Sequence, residues 1–147
     1  MLERVIGLDV GDKWVGVALS DPMGIIARPL TILERCDELT DAEAVVKIIS
    51  QYQAAKVIVG LPRLLTGVVG TQAERVQGFA QRLASLTDTP VLFQDERFST
   101  AGAQEIMKAN RKRKKGFYSR ERDDAVAAAV ILQDWLDENR PMTLPWK

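Results

Sequence analysis

Three carboxylates are the strongest candidates for chemistry, because each stands where an element of the predicted fold begins or ends. They are Asp9, Glu96 and Asp124. The chain has no histidine and a single cysteine, Cys36, to which we assign no role. Ser-His-Asp and Cys-His nucleophiles are therefore excluded, and so are an internal disulfide and a zinc site built from Cys and His. Any catalysis must come from carboxylates, hydroxyls, Lys, Arg, the backbone or a metal ion held by oxygen.

Asp9 is a carboxylate inside a run that is otherwise suited to burial. Residues Arg4–Val10 alternate with a period of two, which predicts a strand, and Gly11-Asp12 predicts the turn that ends it. A buried carboxylate is costly unless it is paired or bound to a metal ion. The alternative is a structural role, in which Asp9 accepts hydrogen bonds from the amides of the turn.

Asp95 and Glu96 follow Pro90–Gln94, a short apolar run that predicts a buried strand. Ligands of open α/β sheets bind beyond the carboxyl ends of the strands. Because neighbours along a strand point to opposite faces, only one of the two acids can enter such a site, and we expect it to be Glu96. In the alternative interpretation, these acids only favour the dipole of the next helix.

Asp124 opens the last predicted helix, which covers Arg122–Glu138. It lies four residues before Ala128 and seven before Ile131, so it shares the buried face of that helix. A carboxylate in the first turn of a core-facing helix can reach the edge of a sheet. The alternative is a favourable placement against the helix dipole, a role that suits Asp123 better because it points away from the apolar stripe.

Together the three acids predict a divalent-metal site. Oxygen ligands without histidine or thiolate suit Mg²⁺ or Mn²⁺ and disfavour Zn²⁺ or Cu²⁺. Such sites hold one or two ions, and paired ions about 3.5–4 Å apart catalyse phosphodiester cleavage by activating water and stabilising the leaving oxygen. The spacing of the acids along three separate elements is therefore typical of a nuclease.

A basic segment, residues 108–122, holds eight Lys or Arg and one Glu, although the formal net charge of the chain is zero. Positive charge concentrated on an otherwise acidic protein indicates a polyanionic partner, and here it would draw a phosphate backbone toward Asp124. A solvated, charged loop is the alternative. The predicted nucleic-acid contacts are Lys13, Arg97, Arg111, Lys112, Arg113, Lys114 and Lys115.

The elements that must position these residues begin with three strands. Arg4–Val10 and Lys13–Ser20 both alternate with a period of two, and the turn at Asp21–Gly24 leads into a third predicted strand through Ile25, Ile26 and Leu30. This order predicts an antiparallel meander.

Helices and strands alternate after the meander. Capping boxes at Thr40–Glu43 and Thr71–Glu74 predict two helix N-termini, Lys56–Gly60 predicts a buried strand, and Ser99–Ala109 predicts a helix. We therefore expect one α/β domain over residues 1–147, with a mixed sheet flanked by helices. No apolar run approaches the roughly 18–20 residues of a membrane span, and no secretory segment is found, so the expected location is cytoplasmic.

Four segments resemble the YqgF/RuvX family of pre-16S rRNA nucleases, which are also called Holliday-junction resolvases. These segments are 6–18 (IGLDVGDKWVGVA), 59–62 (VGLP), 95–100 (DERFST) and 124–132 (DAVAAAVIL). The resemblance implies an RNase H-like fold, with a five-stranded sheet whose strands 1–3 are antiparallel. It also implies metal-dependent phosphodiester hydrolysis by acids matching Asp9, Glu96 and Asp124. Two departures are Arg63, where members often carry Asn, and a longer stretch between the basic run and Asp124.

The resulting prediction is a divalent-metal-dependent endonuclease acting on structured nucleic acid, with the 5′ end of pre-16S rRNA as the substrate that the resemblance implies. Cleavage of branched DNA is the alternative, and it would require two sites in a dimer; the sequence leaves monomer or homodimer open. A non-catalytic RNA-binding module is a third possibility. Phosphotransfer of the sugar-kinase type is disfavoured, because such enzymes need two domains of this kind and the chain has no G-x-x-x-x-G-K-[ST] loop.

Overall fold

The fold comes from a computed structural model, which describes residues 3–62, 71–95 and 120–139. Its elements in chain order are β1 (Arg4–Val10), β2 (Trp14–Ser20), β3 (Ala27–Glu34), α1 (Glu38–Tyr52), β4 (Ala54–Leu61), α2 (Thr71–Leu86), β5 (Val91–Asp95) and α3 (Arg120–Glu138). No helix within the described ranges is long and apolar enough to cross a membrane.

The five strands form one mixed sheet in the order β3-β2-β1-β4-β5. Strands β1 to β3 pair antiparallel, as the predicted meander requires, whereas β4 pairs parallel with β1 and β5 pairs parallel with β4. The predicted mixed five-stranded sheet is therefore confirmed. Because β1, β4 and β5 run in the same direction, their carboxyl ends meet at one side of the sheet, which we call the carboxyl edge; the opposite side is the amino edge.

Helices cover both faces of the sheet, so the central strands β1, β2 and β4 are largely buried, whereas the edge strands β3 and β5 are partly exposed. Helices α1 and α2 pack on the face that carries the even-numbered residues of β1, and Phe79 of α2 is among the largest side chains buried there. Helix α3 packs on the other face, where Val5 and Ile58 meet its residues Ala128 and Leu132. The central parallel strands β1 and β4 are consequently mostly apolar, as expected for strands covered on both faces.

Gly7 sets the distance between α3 and the central strand. A Cβ atom added at this position would lie 2.7 Å from Leu132 Cβ and 3.0 Å from the Ala128 carbonyl oxygen. Those separations are shorter than van der Waals contact, so only glycine allows the helix to approach β1 this closely. Asp9, one of the three candidate carboxylates, lies two residues further along the same face of β1.

Two predicted element boundaries were wrong, each because an aspartate side chain accepts hydrogen bonds from nearby backbone N–H groups. Strand β3 begins at Ala27, since the carboxylate of Asp21 accepts the N–H groups of Ile25 at 2.7 Å and Ile26 at 2.8 Å. Helix α1 begins before the predicted Thr40 cap, because Asp37 is the N-cap and accepts the Thr40 N–H at 2.8 Å.

The remaining predicted elements lie close to their expected positions. Strand β1 has the predicted bounds, β2 begins one residue later than predicted, and β5 extends to Asp95. The predicted helix at Ser99–Ala109 lies outside the described residues.

Candidate active site

Asp9 lies at the carboxyl edge, one residue before the end of β1, and its side chain is half-buried. It alternates with Val5 and Gly7, which places it on the face covered by α3. Its partner across the antiparallel ladder is Gly16 of β2. Because glycine has no side chain, no side chain of β2 stands directly opposite Asp9 in the ladder.

The first turns of α3 lie toward Asp9. Gln133 of this helix bonds the backbone of Ala27 and Ile25 at 2.9 Å each, beside the amino edge, whereas Ala128 lies over Gly7. The helix therefore runs from the carboxyl edge toward the amino edge as it passes β1. Asp124 stands four residues before Ala128, about 6 Å further along the axis, on the Asp9 side. Its backbone belongs to α3, and its side chain is outside the described part of the structure.

The strand that precedes Glu96 ends at the same edge. Leu8 of β1 is level with Val59 of β4, and Val59 is level with Phe93 of β5. Asp95, the last residue of β5, is exposed and pairs with Leu61. Glu96 is joined to it directly in the chain but lies outside the described residues.

The described residues contain no group of three His, Cys, Asp or Glu side chains that could hold a metal ion. Asp9 is among the described residues, whereas Glu96 and the side chain of Asp124 are not. Asp9 is a half-buried carboxylate near the end of a strand, opposite a glycine. A carboxylate oxygen is the kind of ligand that suits Mg²⁺ or Mn²⁺ chemistry.

Of the predicted nucleic-acid contacts, the structure describes one. Lys13 is exposed in the turn between β1 and β2, four residues after Asp9. Arg97 lies outside the described residues, and so do all five residues of the run Arg111–Lys115.

Sequence reasoning missed Arg35, which bonds the turn that follows Asp9, and Asp41, which accepts a hydrogen bond from Arg35. Arg35 lines a polar cleft of about 510 Å³ on the α1–α2 side of the sheet, together with Gly11, Asp12 and Arg75. The sequence feature that could have indicated this contact is Asp41, because it is an acid within the apolar pattern of a helix. It is only 3% exposed, and a buried acid implies a partner.

The chain matches known proteins over nearly its whole length. The model of the RuvX family, described as "Holliday junction resolvase", matches residues 3–138. A relative from Dehalococcoides mccartyi, named "Putative pre-16S rRNA nuclease", is 46% identical over 90% of this chain and 96% of its own.

Solved structures support the predicted fold. A complex of Thermus thermophilus RuvC with a Holliday junction substrate has a TM-score of 0.55 at 17% identity, covering 88% of this chain and 91% of that one. A complex of the fowlpox virus resolvase with Holliday junction DNA has a TM-score of 0.57 at 10% identity, covering 94% and 99%. The RNase H-like fold implied by the four sequence segments is confirmed, and the relatives agree with the predicted enzyme class, a nuclease.

Proposed function

Because this chain belongs to the RuvX family, we propose that it is a divalent-metal-dependent endonuclease that processes the 5′ end of pre-16S rRNA. The observation that carries the proposal is the position of Asp9. It is a half-buried carboxylate at the carboxyl edge of the central strand, on the face where α3 brings Asp124 toward it. The name of the Dehalococcoides mccartyi relative supports the choice of substrate.

Asp9, Glu96 and Asp124 are the residues that would hold the metal. A divalent ion held by their oxygens would supply an activated water and stabilise the leaving oxygen of the phosphodiester. Gly7 contributes indirectly, because it lets α3 approach β1 and so brings the first turn of the helix to the carboxyl edge. Mg²⁺ and Mn²⁺ both suit such a set of ligands.

Binding of the nucleic acid falls to the basic residues around these acids. Lys13 is exposed in the turn beside Asp9 and would contact a phosphate group. Arg97 and the run Arg111–Lys115 add positive charge close in sequence to Glu96 and Asp124, and a phosphate backbone would be attracted to them at low salt.

Cleavage of four-way DNA junctions is the second candidate. It is favoured by the description of the family model and by the two solved resolvases in complex with junction DNA. A junction resolvase cuts two strands that are related by symmetry, so this function requires a homodimer that presents two sites.

A cleavage assay with two substrates tests both candidates. The purified protein is incubated with a structured pre-16S 5′ leader RNA or a four-way DNA junction, in Mg²⁺, Mn²⁺ or EDTA. Metal-dependent cleavage of the RNA alone supports rRNA processing, and cleavage of the junction alone supports the resolvase. Binding without cleavage of either substrate contradicts the enzyme and favours a binding module.

Matched asparagine variants identify the site in the same assay. Asp9→Asn removes the carboxylate charge at the proposed site, whereas Asp12→Asn makes the same change three residues away on an exposed turn residue paired with Arg75 at 2.9 Å. We expect cleavage to be lost in Asp9→Asn and retained in Asp12→Asn. Equal activity of the two variants would contradict the assignment of Asp9.

A further inference from the structure

Arg35 connects the turn after Asp9 to helices α1 and α2. Its guanidinium donates from Nη1 to the Gly11 carbonyl oxygen at 2.7 Å, and its backbone N–H donates to the Lys13 carbonyl oxygen at 2.8 Å. These two bonds are made to carbonyls two and four residues after Asp9. One residue thus holds both sides of the turn that ends β1.

The Arg35 guanidinium is in turn held in place by residues of α1 and α2. Its Nε donates to Asp41 Oδ2 at 2.8 Å, and its Cζ lies 5.4 Å from the centre of the Phe79 ring. Asp41 is 3% exposed on α1 and also accepts the backbone N–H of Cys36 at 3.0 Å, while Phe79 is fully buried on α2. Both contacts come from well-packed residues, so Arg35 has little freedom to move.

The Arg35–Asp41 pair stabilises the fold only at a high cost in desolvation. Removing two charges from water costs free energy that their attraction often only offsets, and apolar replacements of buried pairs are often neutral or stabilising. What the pair provides that an apolar contact cannot is direction: the planar guanidinium aims one N–H at Asp41 and another at the Gly11 carbonyl.

We propose that Arg35, held by the Asp41 carboxylate, is a positioning residue that fixes Asp9 for catalysis by clamping the turn that follows it. The inference rests on the proposed nuclease function, because it concerns the acid assigned to that reaction. Asp9 precedes the clamped Gly11 by two residues, so a change in the turn is transmitted to the end of β1. Misplacement of a reacting group by about 1 Å can cost about 10²-fold in rate.

Three variants and one matched control test the clamp. Arg35→Met removes the charge and every side-chain donor, Asp41→Asn removes the fixing charge, and Arg35→Lys restores a charge that lacks the guanidinium fork. Arg82→Met is the control, since Arg82 also bridges α2 to α1, through Glu38 at 3.4 Å, but is exposed and makes no bond to the turn.

Steady-state cleavage kinetics give the first readout. We expect Arg35→Met to lower kcat about 10²-fold with KM unchanged, because the interaction affects the reacting geometry more than substrate binding. Asp41→Asn and Arg35→Lys should give intermediate values of kcat, and Arg82→Met should match the wild type. A kcat for Arg35→Met equal to that of the control, or a loss confined to KM, would overturn the proposal.

Amide hydrogen exchange of Gly11 gives the second readout, which does not depend on activity. The Gly11 N–H donates to the Trp14 carbonyl oxygen at 2.9 Å and so closes the turn. Exchange at Gly11 should be faster in Arg35→Met than in Arg82→Met, and unchanged exchange would overturn the clamp.

The two readouts separate the possible failures. If the wild type cleaves no substrate, the proposed function fails while the exchange of Gly11 still decides whether Arg35 clamps the turn. If Arg35→Met does not fold, Arg35→Lys and Asp41→Asn carry the same comparison against the control.

Discussion

The two turns of the β1–β2–β3 meander are both held by a charged side chain, but in opposite ways. The β1–β2 turn, at the carboxyl edge, is held by donors to its carbonyl oxygens: Arg35 bonds Gly11 and Lys13, and Gln72 bonds the Val10 carbonyl at 3.2 Å. These donors come from 22 to 62 positions further along the chain. The turn beside Asp9 therefore takes its shape from the assembled fold.

The β2–β3 turn, at the amino edge, is held by its own first residue. The Asp21 carboxylate accepts the N–H groups of Ile25, Ile26 and Met23 at 2.7, 2.8 and 3.3 Å. Gly24 has a φ of +69°, which suits glycine at that point of the turn. The bonds that hold this turn are therefore mainly local, although Gln133 of α3 also donates to the Ile25 carbonyl at 2.9 Å. The apolar residues of the turn, Met23 and Ile26, remain exposed. The difference indicates that long-range hydrogen bonds fix the backbone mainly at the carboxyl edge, where Asp9 lies.

The largest contrast is expected between asparagine substitutions at Asp9 and Asp21. Asp9→Asn should lower the cleavage rate by about 10³-fold or more, since it removes a proposed metal ligand, and leave the melting temperature unchanged or raised by relief of carboxylate repulsion. Asp21→Asn should leave the rate unchanged and lower the melting temperature, because charge-assisted bonds to three amides are lost. Cleavage kinetics and thermal unfolding check both, and a reversed pattern would contradict the division between the edges.

Alanine at two glycines should reveal different constraints. Gly7→Ala places a Cβ 2.7 Å from Leu132 Cβ, and we expect it to lower the free energy of unfolding by about 1–3 kcal/mol and also to impair cleavage by shifting α3. Gly24→Ala has open space, with the nearest atom 3.8 Å away, and should cost about 1–2 kcal/mol through its positive φ alone.

Denaturant titration and the cleavage assay distinguish these two costs. Activity should fall in Gly7→Ala and stay at the wild-type level in Gly24→Ala, measured on folded protein. Full activity in Gly7→Ala would show that the approach of α3 to β1 does not govern the site.

The turn at the amino edge should also give stability a pH dependence. The hydrogen bond from the Ile26 N–H holds the pKa of Asp21 below its usual value, although burial opposes the shift, and the N–H groups of Ile25 and Met23 contribute in the same direction. A folded-state pKa below the unfolded value gives stability that is present above the unfolded pKa of about 3.9 and is lost as the pH falls through the folded value.

Thermal unfolding between pH 6 and pH 2 measures this contribution. The difference in melting temperature between wild type and Asp21→Asn should be largest at pH 6 and shrink below about pH 4. The carboxylate of Asp37, which caps α1 through the Thr40 N–H, has a lowered pKa of the same origin and remains in both proteins as an internal reference. A difference that grows on acidification would contradict the role assigned to Asp21.

The two turns also show what the sequence could predict. The Asp21–Gly24 turn was recognised because its signal is local, and the pairing of β1 with β2 followed from their alternation. The contribution of Arg35 could not be predicted, because it depends on Asp41 and Phe79 coming together from two helices. The same limit applies to Asp9: the sequence indicated a carboxylate at a strand end, but its closeness to α3 depends on the contact between Gly7 and Leu132.

The smallest effect is expected at the second arginine of the carboxyl-edge turn. Arg75 pairs with Asp12 at 2.9 Å, but both side chains are more than 60% exposed, so water and salt screen the pair and its contribution should be below about 1 kcal/mol. Arg75→Met should therefore leave the melting temperature and kcat close to wild type, although it touches the same turn as Arg35. A loss of kcat equal to that of Arg35→Met would show that any side-chain bond to this turn is enough to position Asp9. Retained activity would show instead that Asp9 depends on the partly buried clamp on the backbone carbonyls, since that is where the two arginines differ.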